Sequence, residues 1–220
     1  LDRRAGAIWE SNSTLLEAIL NSLHQVVHEK CVVPDQPEAL RRALAELSNT
    51  CDVVVSTGGI SAGDSDWIRA LVNELGQVSF WKLFLKPGRP FAFGHIKSQE
   101  GTVPFFGLPG NPVAAAITAL QLLWPTLQIL EGQQEPEFFP RVKVKLANAL
   151  ARRPGRPELA RARLEVNANG ELMARVSDSQ ASSRIGSLVQ SDLLLEIPAQ
   201  TGELKAGESL WAQLIRSRLL

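Results

Sequence analysis

The chain of 220 residues has few of the features that would assign a function class directly. It has only two cysteines, Cys31 and Cys51, whose spacing is neither that of a CxxC pair nor that of a structural zinc site. Its 23 lysines and arginines balance its 23 aspartates and glutamates, so no overall field attracts nucleic acid or an anionic membrane. We therefore expect neither nucleic acid nor a membrane as a partner.

Targeting and catalytic patterns are missing as well. The sequence begins without a signal-peptide pattern, no apolar run is long enough to span a bilayer, and two unpaired cysteines fit a cytoplasmic location. His24 and His28 lack a third metal ligand at a suitable spacing, and no Ser–His–Asp arrangement can be assembled. Because the chain begins with Leu1 and no apolar strand precedes its first helix, we expect it to be part of a longer protein.

Residues 52–66 are the most informative segment, since a predicted buried strand ends there in a glycine-rich loop and a helix follows from Trp67. Small residues let a ligand approach the backbone, and free N–H groups at a helix start favour an anion. The alternative is a tight turn whose acids cap the next helix, and the spacing is neither that of a P-loop nor that of a dinucleotide fingerprint. We favour a ligand-binding loop. Its predicted residues are Ser56, Thr57, Gly58, Gly59, Ser61 and Gly63.

A second loop repeats this logic where the apolar run 103–107 ends. Asn111 is predicted to cap the following helix, and Pro112 to be its first residue. By itself the loop is as easily a plain turn. Together with the first loop it could line a crevice at the carboxyl ends of neighbouring strands, where open α/β sheets bind ligands. The predicted ligand-binding residues here are Pro109, Gly110, Asn111 and Pro112.

Three cations follow in one predicted strand and turn: Lys82, Lys86 and Arg89. Residues 78–85 and 91–96 are predicted to be antiparallel strands joined by a turn over residues 86–90. If the first strand continues regularly, Lys82 and Lys86 lie on one side of it. The cations could simply be a solvated edge that prevents aggregation. We favour a phosphate clamp that works with the acids of the first loop and with Asp35.

The remaining pattern predicts two domains. Up to residue 134, predicted helices at 12–23, 37–47, 66–75 and 113–132 alternate with strands at 26–33, 53–56, 78–85, 91–96 and 103–107, which is typical of an α/β domain. Over residues 135–220 only short strands are predicted, at 142–146, 159–166, 172–176, 193–197 and 209–215. We therefore expect a small all-β second domain.

Three ordered motifs resemble one family. Thr57–Asp66, Phe80–Gly94 and Gly107–Val113 are similar to molybdopterin molybdenumtransferase, called MoeA in bacteria and related to the E domain of gephyrin in animals; the segment Ser11–Ser13 also matches. The resemblance implies a MogA-like three-layer molybdopterin-binding α/β domain, N-terminally truncated, followed by a C-terminal β-barrel. It also implies insertion of molybdenum from molybdate into adenylylated molybdopterin with release of AMP, with Mg²⁺, in a homodimer.

The resemblance implies roles for individual residues. Asp35 and Asp66 would be functional carboxylates that hold magnesium at the phosphates. Lys82 and Lys86 would be the catalytic lysines, and Arg89 would offset phosphate charge. In the second domain, Arg161 and Ser183 fall where the family binds its ligand, although Ala181-Ser182-Ser183 replaces the family's Gln-Gly-Ser.

Two other functions stay open. A molybdopterin adenylyltransferase shares the α/β domain but should not need the region after Pro140. A non-catalytic molybdopterin-binding or scaffold protein is suggested by the receptor-binding role of the gephyrin E domain and by the family's upstream acid, which lies outside this chain. We expect an enzyme whose full activity requires the longer protein.

Overall fold

The computed structural model describes residues 10–60, 67–177, 180–181 and 185–216. The chain forms two compact units: the first unit is Leu1–Trp81 with Pro90–Ala119, and the second unit is Lys82–Arg89 with Leu120–Leu220. The short segment Lys82–Arg89 therefore belongs to the second unit although strands of the first unit flank it. The predicted boundary between domains 1–134 and 135–220 stays a prediction.

The first unit is built on a four-stranded mixed sheet with the order β1-β4-β3-β2. Its strands are β1 (Val54–Thr57), β2 (Gly76–Trp81), β3 (Ala92–Ser98) and β4 (Gly101–Leu108). β1 runs parallel to β4, with Thr57 opposite Leu108. β2 and β3 are antiparallel neighbours, as predicted. Because β1 and β4 are parallel, their carboxyl ends lie at the same edge of the sheet.

Helices cover this sheet. They are α1 (Asn12–Ser22), α2 (Pro37–Ser48), α3 (Trp67–Leu75) and α4 (Pro112–Thr118). Leu44 of α2 and Leu71 of α3 pack with Val54 and Phe105 of the sheet in one buried cluster. Phe105 is 0% exposed, which by apolar transfer is worth about 2–3 kcal/mol. The alternating pattern of the sequence is thus confirmed as an α/β layered unit.

The strand predicted over residues 26–33 is wrong. Residues 25–34 form neither helix nor strand, and Val26 and Val32 are 91% and 73% exposed. The pairs Val26-Val27 and Val32-Val33 each supply too few apolar residues to pack against the sheet. Strand propensity alone does not stabilise a strand that has no neighbouring strand to bond with.

One long helix follows the β4 loop. It comprises α4, a π-helical segment over Ala119–Leu123, and α5 (Trp124–Leu130). Pro125 lacks an N–H and would crowd the carbonyl four residues earlier in a regular helix, and the wider π turn accommodates it. By length and composition alone, the 19 residues Pro112–Leu130 could cross a bilayer, contrary to our expectation from the sequence. The helix is 56% buried inside the protein, which is also typical of a core helix.

The second unit contains a closed barrel with the strand order β5-β7-β6-β8-β9. The strands are β5 (Arg141–Leu146), β6 (Glu158–Val166), β7 (Leu172–Val176), β8 (Leu193–Ile197) and β9 (Ser209–Leu214). A short helix, α6 (Ile185–Val189), precedes β8. The barrel core contains fully buried side chains, among them Leu146, Ala160, Leu193 and Leu195. The predicted α/β domain followed by a β-barrel is confirmed.

Candidate functional site

The two predicted loops meet at the carboxyl edge of the sheet. The N–H of Gly58 donates to the carbonyl of Leu108 at 3.2 Å, which extends the β1–β4 pairing into the loops. The Thr57 hydroxyl donates to the carbonyl of Pro109 at 3.0 Å. The sequence predicted a shared crevice, and the adjacency of the two loops is confirmed.

Glycine is required where the loops approach each other. Gly58 and Gly59 have φ angles of 81° and 69°, a left-handed conformation that side chains disfavour by about 1–2 kcal/mol per residue. A Cβ on Gly110 would lie 3.4 Å from the Cα of Gly58, which is ordinary van der Waals contact and shows how near the two loops are. Gly58 and Gly59 allow the turn of the first loop and leave its backbone free of side chains, which suits close approach of a ligand.

Asn12, at the start of α1, links the two loops. Its amide Nδ2 donates to the Thr57 hydroxyl at 2.7 Å and to the Gly110 carbonyl at 2.8 Å. The side chain is 8% exposed, and among the described residues its Oδ1 has no hydrogen-bond partner. The Ser56 hydroxyl is likewise buried and unpartnered within that part of the chain. The sequence analysis included Asn12 only in the matched segment Ser11–Ser13, and that match was the signal for its role.

The start of α4 has its predicted geometry without the predicted side-chain bond. Asn111 is the N-cap, with an extended backbone, and Pro112 occupies the first helical turn. The Asn111 carbonyl accepts from Ala115 N–H at 2.9 Å, whereas its side chain makes no cap bond. Pro112 fits this position because it has no N–H to leave unsatisfied.

The cationic segment does not continue strand β2. The strand ends at Trp81 and Lys82 has a φ of 70°, so the prediction that Lys82 and Lys86 share one side of a regular strand is wrong. The segment turns back on itself, since Leu83 N–H donates to the Arg89 carbonyl at 3.0 Å. Lys82 and Arg89 are exposed.

Lys86 is attached to the barrel. Its N–H donates to the Pro157 carbonyl at 2.9 Å, and its carbonyl accepts from Leu159 N–H at 2.8 Å. Its Nζ lies 2.9 Å from Oε1 of Glu158. Lys86 is therefore fixed relative to the first residues of β6.

Arg161, on β6, is 1% exposed. Its Nε donates to the Ser187 hydroxyl at 2.9 Å and its Nη2 to the Ala181 carbonyl at 3.3 Å. Burial lowers the pKa of the Arg161 guanidinium, and the negative charge of Glu158 opposes this effect. Its predicted role in ligand binding stays a prediction.

Of the two predicted magnesium ligands, only Asp35 lies among the described residues, so the pairing with Asp66 stays a prediction. Asp35 is exposed in the turn before α2, where Gln36 N–H donates to the Pro34 carbonyl at 2.7 Å. Within the ranges that the structure describes, no three His, Cys, Asp or Glu side chains are close enough to hold a metal. Four predicted site residues lie outside the described residues: Ser61, Gly63, Asp66 and Ser183.

This fold and these loops define an α/β protein with an additional β-barrel. Residues 2–129 match the family described as "Probable molybdopterin binding domain", and residues 143–215 match the "MoeA C-terminal region (domain IV)". The chain therefore belongs to the molybdopterin-binding domain family. The resemblance to the MoeA family that the motifs suggested is confirmed.

Named relatives agree with this assignment. The chain is 30% identical over 207 residues to molybdopterin molybdenumtransferase of Haemophilus influenzae, covering 94% of this chain and 50% of that protein. It is 34% identical over 216 residues to molybdenum cofactor synthesis protein cinnamon of Drosophila melanogaster, covering 96% and 35%. The crystal structure of a molybdopterin biosynthesis MoeA protein from Pyrococcus horikosii matches with a TM-score of 0.80 at 25% identity, over 99% of this chain and 51% of that one. The chain thus spans between 35% and 51% of the length of these relatives.

Proposed function

We propose that this chain is the molybdopterin-binding and barrel part of a molybdopterin molybdenumtransferase, which inserts molybdenum from molybdate into adenylylated molybdopterin and releases AMP. The observation that carries the proposal is the junction of the Thr57–Gly59 and Pro109–Pro112 loops at the carboxyl edge of the sheet. The family that matches residues 2–129 is described as a probable molybdopterin-binding domain, and the family that matches residues 143–215 is the C-terminal region of MoeA.

The loops would hold the ligand. The left-handed glycines turn the backbone so that a phosphate or pterin group can lie directly against it. The Thr57 hydroxyl is held by two bonds, which fixes the loop before the ligand arrives. Such preorganisation reduces the ordering cost of binding.

The cations Lys82, Lys86 and Arg89 would offset the negative charge of the phosphates and of molybdate. Release of AMP breaks a phosphoanhydride bond, and the departing phosphate gains negative charge in the transition state. Ammonium and guanidinium groups stabilise that charge and also attract the molybdate oxyanion. We assign this role to Lys82, Lys86 and Arg89, with Arg161 and Ser183 as ligand-binding residues of the barrel.

Magnesium, held by Asp35 and Asp66, is part of the proposal, and it would neutralise phosphate charge. Exposed Asp35 is available for such a contact, but the described residues alone do not complete a site. No step is therefore assigned to the metal.

We further propose a cytoplasmic homodimer. Free Cys31 and Cys51 support a reducing compartment, and the dimer follows the family resemblance. Light scattering of the full-length protein measures its mass; a monomer at micromolar concentration would contradict the dimer.

The deciding experiment is AMP release from adenylylated molybdopterin by the full-length protein, with and without molybdate. Molybdate-dependent release is expected, and Asp66→Ala should abolish it. Accumulation of adenylylated molybdopterin from ATP would instead indicate an adenylyltransferase, which the match to the MoeA barrel region disfavours. Calorimetry that detects no binding of molybdopterin or AMP would indicate a scaffold.

A further inference from the structure

A buried carboxylate lies among three cations of the second unit. Glu158, the first residue of β6, is 5% exposed. Its Oε1 lies 2.9 Å from Lys86 Nζ and its Oε2 lies 3.5 Å from Arg152 Nε. Its charge also acts on Arg161, where it opposes the lowering of the pKa by burial. Two of these three cations, Lys86 and Arg161, are residues that we assign to ligand binding.

One of the cations is fixed and another is accessible. The Arg152 side chain is 5% exposed, and its guanidinium also donates to the carbonyls of Pro198, at 3.1 Å, and of Arg156, at 3.2 Å. The Lys86 side chain is 48% exposed. Buried Arg152 therefore offsets the carboxylate charge at ion-pair distance, although its Nε makes no hydrogen bond among the described residues, while half-exposed Lys86 lies against the same carboxylate.

The main chain already attaches the loop without this carboxylate. Lys86 N–H and carbonyl bond to Pro157 and Leu159, and Arg156 Nη1 donates to the Leu85 carbonyl at 2.9 Å. The ion pair is therefore not needed to hold the loop backbone, and what it adds is control of one side-chain atom, Lys86 Nζ. A lysine has high rotamer entropy, so an anion that meets a freely moving ammonium must order it first.

We propose that Glu158 is a positioning residue that holds the Lys86 ammonium in place for an incoming oxyanion, with Arg152 offsetting the carboxylate charge. The Lys86 ammonium has three N–H groups, so its ion pair with Glu158 leaves donors available to the oxyanion. The role as an oxyanion ligand rests on the proposed function, whereas the positioning of Lys86 does not. The two can therefore be tested separately.

Amine labelling tests the positioning without any ligand. The full-length protein is treated briefly with an N-hydroxysuccinimide ester, and labelling at each lysine is quantified by peptide mass spectrometry. Glu158→Gln should raise labelling of Lys86 about fivefold, as expected for loss of a partly exposed ion pair. Exposed Lys143 is the internal reference. The matched control is Glu165→Gln. Glu165 lies on β6, like Glu158, and pairs with Arg175 of β7, so its replacement should leave the labelling of Lys86 unchanged.

Unchanged labelling of Lys86 in a folded Glu158→Gln protein would overturn the proposal. If that variant does not fold because buried Arg152 loses its counter-charge, Glu158→Asp replaces it. Aspartate keeps the charge but withdraws the carboxylate by one methylene, so labelling of Lys86 should still rise. A neutralising role towards Arg152 alone predicts no rise.

Molybdate binding then tests the consequence. Glu158→Gln should weaken binding by about fivefold, through KM for molybdate more than through kcat. It should have no additional effect in a Lys86→Met protein, because the two residues act as one unit. Additive losses would show that Glu158 acts independently of Lys86 and would overturn the proposal. If the unaltered protein binds no molybdate, the proposed function fails, and the labelling result alone decides the positioning.

Discussion

Replacing Asn12 tests the junction between the two loops most directly. Asn12→Ala removes the amide that donates to Thr57 and to Gly110. At about 1 kcal/mol for each hydrogen bond, the loss is about 2 kcal/mol. Part of it is recovered because the unpaired Oδ1 disappears as well and because Gly110 is exposed enough for water to reach its carbonyl. We therefore expect a net cost of about 1–2 kcal/mol.

Asn12→Asp separates hydrogen bonding from packing. Aspartate has the same shape, so a residue that only fills space would tolerate it better than alanine. If Asn12 acts through its N–H donors, a buried carboxylate would instead face the Thr57 oxygen and the Gly110 carbonyl. Leaving a buried charge unpaired costs about 3 kcal/mol or more. The aspartate variant should therefore be the less stable of the two.

Hydrogen exchange of the Gly58 amide is the appropriate measurement, since that amide bonds Leu108 across the junction. A chain of two units need not unfold in one step, so a single denaturation midpoint is less informative. Asn12→Ala should speed exchange at Gly58 about 5- to 30-fold. Asn21→Ala, at an exposed position near the end of the same helix, is the control. An aspartate variant milder than alanine, or unchanged exchange at Gly58 in both variants, would refute the reasoning.

Three further predictions concern stability. Gly58→Ala should cost about 1–2 kcal/mol from its positive φ alone, because a Cβ there meets nothing within 4 Å, whereas Gly155→Ala should be nearly neutral, as measured by hydrogen exchange in each unit. The side-chain hydrogen bond from Arg41 lowers the pKa of Glu74, so the stabilising contribution of this pair is present at neutral pH and is lost as pH falls through the lowered value. Glu74→Gln should remove this part of the acid dependence of stability. A Glu74 carboxyl that titrates at its ordinary value by NMR would contradict the prediction. Phe105→Ala should cost about 3–5 kcal/mol, and a loss below about 1 kcal/mol would exclude its place in the core.

The fold was largely predictable because its signals are local. Amphipathic spacing and a first-turn proline located α2, and alternation of polar and apolar residues located β5. The strand predicted at residues 26–33 failed because strand stability depends on a neighbour that the local sequence does not contain.

The candidate site was predictable in part. Glycine and proline patterns located both loops, since a tight backbone turn requires those residues locally. The link made by Asn12 was missed because it joins residues 45 and 98 positions away along the chain. The placement of Lys86 was wrong for a similar reason, since its partner Glu158 lies on a strand that begins 72 positions later in the numbering (158 − 86). Long-range contacts of this kind leave no periodic pattern in the sequence.

The membership of Lys82–Arg89 in the second unit has a practical consequence for dissecting the protein. The polypeptide passes from one unit to the other after Trp81, after Arg89 and again after Ala119. No single cut can therefore release the complete second unit. A fragment that starts at residue 135 would expose the Pro157 carbonyl and the Leu159 N–H that bond Lys86, and it would leave Glu158 buried beside Arg152 without its lysine. Domain-swap or deletion experiments should therefore keep Lys82–Arg89 together with residues 120–220.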